Sequence, residues 1–247
     1  MASPEIQLLN PNIILICGKS ATGKTFSLKD LKDPEGVLYL CTEGNKALPF
    51  RAKFDSRTVT DPLQVYQAFD WVKHKDHIHT VVIDSLTFLM DMFETRYVLT
   101  STDGRKAWGD YAQFFKKLIQ QYVAETNKNV ILIAHTSDVY NDKEFVSETF
   151  VKIKGSVMNT GVESYFNQVV STKKLKLHQL ADYENDLLEV NEEEAIIKMK
   201  YVFQTKLTEE TAYERIRSPT GMWKREETFI DNNIQNVLDR IHSYYSE

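Results

Sequence analysis

Apolar runs of strand length alternate with amphipathic stretches in the order expected of a parallel sheet covered by helices. Residues 12–17 (Asn-Ile-Ile-Leu-Ile-Cys) predict a first strand and residues 37–41 (Val-Leu-Tyr-Leu-Cys) a second, with a short third at 57–59. Further strands are predicted at 80–84, at 129–134 and, from its alternation, over 165–177. Helical spacing covers 24–31, closed by the turn at Asp33 and Pro34, then 61–73, where Pro62 sits in the first turn at no cost in hydrogen bonds. It continues over 85–99 and over 108–125, with Phe114, Phe115, Leu118, Ile119, Tyr122 and Val123 on one face. Residues 100–106 and 136–160 are polar and predict loops. Late in the chain, 195–206 and 211–218 predict a β-hairpin, and Asp231 with the two asparagines after it opens a terminal helix to about residue 245. The expectation is one α/β domain over 1–247: a core at 12–177, an acidic connector at 178–194, and a hairpin with a C-terminal helix over 195–247.

Composition narrows this only slightly. The chain has 247 residues, 42% of them hydrophobic, enough for a large core. Its formal charge of -5 argues against a protein that coats nucleic acid by bulk positive charge, although it leaves room for a local basic channel. Much of the acidity lies in residues 182–194 (Asp-Tyr-Glu-Asn-Asp-Leu-Leu-Glu-Val-Asn-Glu-Glu-Glu), which reads as a solvated connector. Cys17 and Cys41 end predicted core strands and read as reduced, buried thiols. The longest apolar runs are too short to span a bilayer, and no basic region leads into a signal-peptide core, so a cytoplasmic protein without membrane contact is expected.

Residues 18–25 read Gly-Lys-Ser-Ala-Thr-Gly-Lys-Thr, a complete G-x-x-x-x-G-K-S/T phosphate loop between a predicted strand and a predicted helix. Gly18 and Gly23 let the backbone approach a polyphosphate, while Lys19, Ser20, Ala21 and Thr22 supply the intervening N–H groups. Lys24 would reach the β and γ phosphates, and the Thr25 hydroxyl would ligate Mg²⁺. ATP is expected as the nucleotide, since no Asn-Lys-x-Asp guanine-reading tetrad is present.

The accompanying polar residues decide the reaction class. Asp84 ends an apolar strand and fits a Mg²⁺-holding carboxylate, although a helix N-cap would occupy the same place. The next residue is Ser85 rather than Glu, so a water-activating carboxylate must come from elsewhere. Glu43, just after the second strand, can polarise the attacking water; a salt bridge to Lys46 or a cap at Gly44 is its structural alternative. His135 ends a further central strand and can sense the γ-phosphate, or can be an ordinary strand-end histidine.

This order of motifs resembles the ATPase core of the RecA-like recombinases. It looks most like phage single-strand annealing ATPases of the Sak type and the RadB-like proteins, in Val81-Val-Ile-Asp84-Ser85-Leu86-Thr87, in Trp108-Gly109, and in Ile133-Ala134-His135-Thr136. The likeness covers roughly residues 12–177, and the acidic connector departs from it. It implies a RecA-like P-loop NTPase core and a Mg²⁺-dependent ATPase that assembles as a homo-oligomer with ATP between subunits. It also implies binding of single-stranded DNA, annealing or strand exchange, and the company of a single-strand-binding protein. The loop residues Arg105 and Lys106, then Lys143, Lys152 and Lys154, would contact DNA; Lys206, Arg215 and Arg217 would act in trans on a neighbour's γ-phosphate. Two alternatives stay open: a nucleotide-switched DNA-binding or mediator module with negligible turnover, and a small-molecule kinase.

Overall fold

Strands β1 (Ile13–Gly18), β2 (Val37–Cys41), β4 (Thr80–Asp84) and the first half of β5 (Asn129–Asn141) carry apolar residues at nearly every position because helices cover both sheet faces. The structure, a computed structural model, describes residues 10–246; the expectation of no export signal rests partly on residues outside these. Among the described residues, nine strands form one sheet in the order β3-β2-β4-β5-β1-β7-β8-β9, with β6 paired to the far half of β5. Here β3 is Asp55–Thr58, β6 Val146–Val151, β7 Gln168–Lys176, β8 Met199–Gln204 and β9 Phe229–Asp231. Pairing is parallel from β3 through β7 and antiparallel for β6, β8 and β9, giving the α/β fold of a P-loop NTPase core. No helix among the described residues is long and apolar enough to cross a membrane.

Alternation along each strand divides the core. Leu15, Leu38, Leu40, Val81, Ile83 and Leu132 face helices α1 (Gln64–Val72), α2 (Leu86–Phe93) and α3 (Gly104–Lys117). Ile14, Ile16, Tyr39, Val82, Ile131 and Ile133 face Leu28, Leu31 and the terminal helix, which spans Ile234–Ser246. Cys17 and Cys41 are free and buried, and burial pushes the Cys17 thiol up to about 12.

Several elements differ from the expected ones. The helix after the phosphate loop is a single 3-10 turn, Thr25–Leu28, where the Ser27 hydroxyl donates back to the Lys24 carbonyl at 2.6 Å and competes with the helical ladder. Residues 136–160 are not a loop. β5 runs on to Asn141 and turns into β6, its polar side chains bonding to one another, Thr149 to Asp138 at 2.8 Å and Asn141 to Glu148 at 2.9 Å; helix α4 (Gly155–Thr160) follows. The late hairpin does not form, because both edges of β8 are taken by β7 and β9; residues 211–218 make only single bridges, Glu214 to Thr149 and Arg217 to Val169.

Nor is the acidic segment a solvated connector. It is a strap whose carboxylates face water, except Glu194, which pairs with the buried Lys200, while Leu180, Tyr183 and Leu188 pack on Val202 and Phe229. Its end forms helix α5 (Glu192–Ile197), opened by a capping box between Asn191 and Glu194.

Candidate active site

Strand register brings distant residues to one sheet edge. Gly18 pairs with His135, Cys41 with Asp84, and Asp84 with Ile133, so the chain leaves β1, β2 and β4 beside the point where β5 passes from the parallel sheet into its hairpin. This carboxyl edge is where open α/β sheets bind ligands. A cleft of about 580 Å³ opens there, lined by Ser20, Ala21, Gly23, Lys24 and Thr25 on one side, and by Glu43, Lys46, Asp84 and His135.

The loop conformation requires its glycines. A Cβ on Gly18, at φ +156°, would lie 2.2 Å from the Thr172 hydroxyl oxygen, and one on Gly23, at φ +88°, would lie 2.6 Å from Nδ2 of Asn232. Asn232 donates that Nδ2 to the Gly23 carbonyl at 2.9 Å, fixing the loop from the terminal-helix side. Lys19 and Thr22 turn away from the cleft: Lys19 pairs with Asp138 at 2.6 Å, and Thr22 meets Thr172.

Lys24 is buried, and its Nζ donates to the carbonyls of Gly18 at 3.1 Å and Lys19 at 2.7 Å. Burial lowers its pKa to about 8 against the pull of Asp84 and Glu43. The Thr25 hydroxyl and the Tyr39 hydroxyl both donate to Oδ2 of Asp84, at 2.6 and 2.9 Å. Burial raises the pKa of Asp84, and these two donors oppose the rise. Thr42 pins the adjoining strand ends by accepting from the Ser85 N–H and donating to the Ser85 carbonyl, each at 2.7 Å.

Glu43 faces two partners, Lys46 at 2.8 Å and Nε2 of His135 at 3.5 Å. Burial pushes its carboxyl upward, but Lys46 and His135 together hold it below the usual glutamate range. The pKa of His135 is lowered, first by burial and then by Lys24, whose Nζ lies 3.4 Å from Nδ1. A neutral ring between an ammonium and a carboxylate carries its proton on Nε2, toward Glu43, and accepts at Nδ1. The salt bridge that could have explained Glu43 alone is present, yet it coexists with the His135 contact inside the cleft.

The donor set fits Mg²⁺: one hydroxyl and one carboxylate, both hard oxygens, are what this ion takes from protein when phosphates and water complete its shell. Among the described residues no group of three or more His, Cys, Asp or Glu could itself hold a metal.

The other candidates lie elsewhere. Arg105 and Lys106 are exposed in the first turn of α3, capped by Asp103, rather than in a loop. Lys143 is in the turn between β5 and β6, and Lys152 follows β6, with its N–H on the His135 carbonyl at 2.8 Å. Lys154 is paired with Glu94 at 2.6 Å, so its charge is already engaged. None of Lys206, Arg215 and Arg217 lines the cleft. Lys206 donates to the Trp223 carbonyl, Arg215 pairs with Glu163 at 3.4 Å and stacks on Phe150, and Arg217 reaches the Ser164 carbonyl.

Sequence reasoning missed Tyr39, Thr42 and Asn232. A tyrosine inside an apolar strand could have been flagged, since its hydroxyl needs a partner when buried; Asn232 gave no signal, lying 209 residues from the glycine it contacts.

A search of curated proteins returns no match. The family model of the AAA domain matches residues 10–197, which takes in the phosphate loop, Glu43, Asp84 and His135. The chain therefore belongs to the AAA domain family of P-loop ATPases.

Proposed function

We propose that the chain hydrolyses ATP in a RecA-like manner, as a homo-oligomer with nucleotide at the subunit interface, and uses the cycle to bind single-stranded DNA and promote annealing or strand exchange. The observation that carries the hydrolytic part is the contact series Lys24, His135, Glu43, spaced at 3.4 and 3.5 Å within the phosphate-loop cleft. Lys24 would trade its carbonyl partners for the β and γ phosphates. Thr25 and Asp84 would hold Mg²⁺, whose charge would offset that of the phosphate oxygens. Glu43, kept ionised by Lys46 and His135, would take a proton from water as the water oxygen bonds to the γ-phosphorus and the bond to the bridging oxygen of ADP breaks. His135 would report phosphate loss through the strand it sits on.

Support for the DNA part comes from the β5–β6 hairpin, whose pairing begins at Thr136, just after His135, and which carries exposed Val139, Tyr140 and Phe145 around Lys143. Exposed rings beside cations suit stacked, single-stranded bases. Lys206, Arg215 or Arg217 would serve a neighbour's nucleotide in such an oligomer, and a single-strand-binding protein would be a natural partner. Glu43→Gln tests the chemistry: nucleotide affinity should hold while turnover falls about 100-fold or more. Equal loss of both would remove Glu43 from the water-activating role. Sedimentation with and without a slowly hydrolysed ATP analogue and an oligonucleotide tests assembly; an unchanged mass would count against the interface.

A further inference from the structure

The acidic strap ends inside the nucleotide cleft: Glu193 and Ile197 of α5, with Met199 and Tyr201 of β8, line the same 580 Å³ space as the phosphate loop. Phe26 and Pro49 complete this wall. Phe26, Ile197 and Tyr201 are 44%, 53% and 38% exposed, and none of the three belongs to a core cluster. Large apolar side chains left open toward one concave space retain surface for a ligand. The Tyr201 ring lies against the phosphate loop itself, with Cδ1 3.4 Å from where a Cβ on Gly23 would stand.

The wall is held rigidly. Lys200, between Met199 and Tyr201, is buried and bridges Glu194 of α5 to Asp231 of β9 while donating to the Glu189 carbonyl. The residue after Asp231 is Asn232, which grips Gly23. One polar network thus sets α5, β8 and the phosphate loop relative to one another.

Resting on the nucleotide reading above, we infer that the strap forms the nucleoside wall of the site, with Phe26, Ile197 and Tyr201 covering the base of a nucleoside triphosphate whose phosphates lie at Lys24. Glu193, which has no partner among the described residues, accepts from a hydroxyl or amino donor of the nucleoside. A carboxylate there also repels phosphate, so the triphosphate is directed to the Lys24 end. The strap then gives the site its preference for a nucleotide over a bare polyphosphate.

Affinities for ATP and for inorganic tripolyphosphate, measured on the full chain for wild type, Ile197→Ser and Tyr201→Ala, test this. Both substituted positions are partly exposed, so the variants should fold. Each should lose about tenfold in ATP affinity with tripolyphosphate affinity unchanged. Equal weakening toward both ligands, or no change toward either, would overturn the wall. So would a wild type that binds tripolyphosphate as tightly as ATP. A wild type that binds neither ligand would instead remove the nucleotide reading and the wall with it.

Discussion

Replacing Lys200 by Met should cost this protein more than any change at a surface ion pair. Lys200 is only 5% exposed, and its three ammonium protons are matched by three acceptors: the Glu189 carbonyl at 2.7 Å, Glu194 at 2.9 Å and Asp231 at 2.9 Å. Methionine fills similar volume but leaves both carboxylates without a counter-charge. Charge-assisted bonds at about 1.5–3 kcal/mol each would sum to more than 4 kcal/mol. Glu194 and Asp231 keep side-chain exposures of 17% and 30%, however, and can recover water. The expected loss is therefore near the lower part of the about 3–5 kcal/mol typical of a broken buried pair. In a chain of 247 residues a loss of about 3 kcal/mol lowers the melting temperature by roughly 6–12 °C. Urea unfolding at neutral pH measures it, with Lys53→Met as control, since Lys53 and Glu35 form an exposed pair worth about 0–1 kcal/mol. A loss below about 1 kcal/mol for Lys200→Met would show that the strap is not fastened by this ammonium.

Asn232→Ala removes the grip on the Gly23 carbonyl and should cost about 1 kcal/mol while weakening ATP binding several-fold; calorimetric titration distinguishes this from a purely structural loss. Lys24 makes stability depend on alkaline pH. Its folded pKa of about 8 lies below the ordinary value of 10.5, so the unfolded chain binds more protons between these limits and stability contributed by this group rises as pH climbs through that window. Lys24→Met should flatten that rise relative to wild type in urea melts at pH 8 and pH 10; equal slopes would show that Lys24 is not buried in solution. For DNA, Lys152→Ala should flatten the salt dependence of single-strand binding by about 0.7. Lys154→Ala should change it less because Glu94 holds that charge, and Glu94→Gln should strengthen binding by freeing it; equal effects at both lysines would refute the engaged pair.

The parallel half of this molecule was legible in the sequence because it obeys one simple rule. Strands buried on both faces are continuous apolar runs, and the polar residues that end them, Glu43, Asp84 and His135, stand out against that background. Their meeting at one edge then follows from strand register. The peripheral elements obeyed no such rule. Strand residues 136–141 and 146–151 pair through an antiparallel backbone ladder but carry Thr, Ser, Asp, Asn and Glu side chains, a composition that resembles a loop. The strap's carboxylates masked four scattered anchoring residues, Leu180, Tyr183, Leu187 and Leu188. The mistaken hairpin had strand-like residues on both sides, but the choice of partner for β8 depends on β9, which is only three residues long. Tyr39 and Asn232 contribute through contacts far apart in the chain, and pattern reading along the sequence has no access to those.

β5 is the element on which the proposed coupling of nucleotide and DNA depends. His135 belongs to both of its halves: it pairs in parallel with Gly18 of the phosphate loop, and its carbonyl accepts from Lys152 at the base of the hairpin. Its N–H is held at 2.9 Å by the Thr87 hydroxyl of α2, so the backbone at this point is fixed on three sides while the imidazole faces Lys24 and Glu43. Three residues further on, Asp138 returns to the phosphate loop through Lys19. That outer contact is exposed and contributes under about 1 kcal/mol, too little to transmit a load by itself. The backbone connection through His135 has no such weakness, since moving the hairpin without moving His135 would break bonds in the sheet. If the hairpin carries the strand, the direct route from DNA to the cleft is then the orientation of the His135 imidazole. His135→Ala should then leave ATP affinity nearly intact while making turnover indifferent to added single-stranded DNA, and a variant still stimulated by DNA would place the coupling elsewhere.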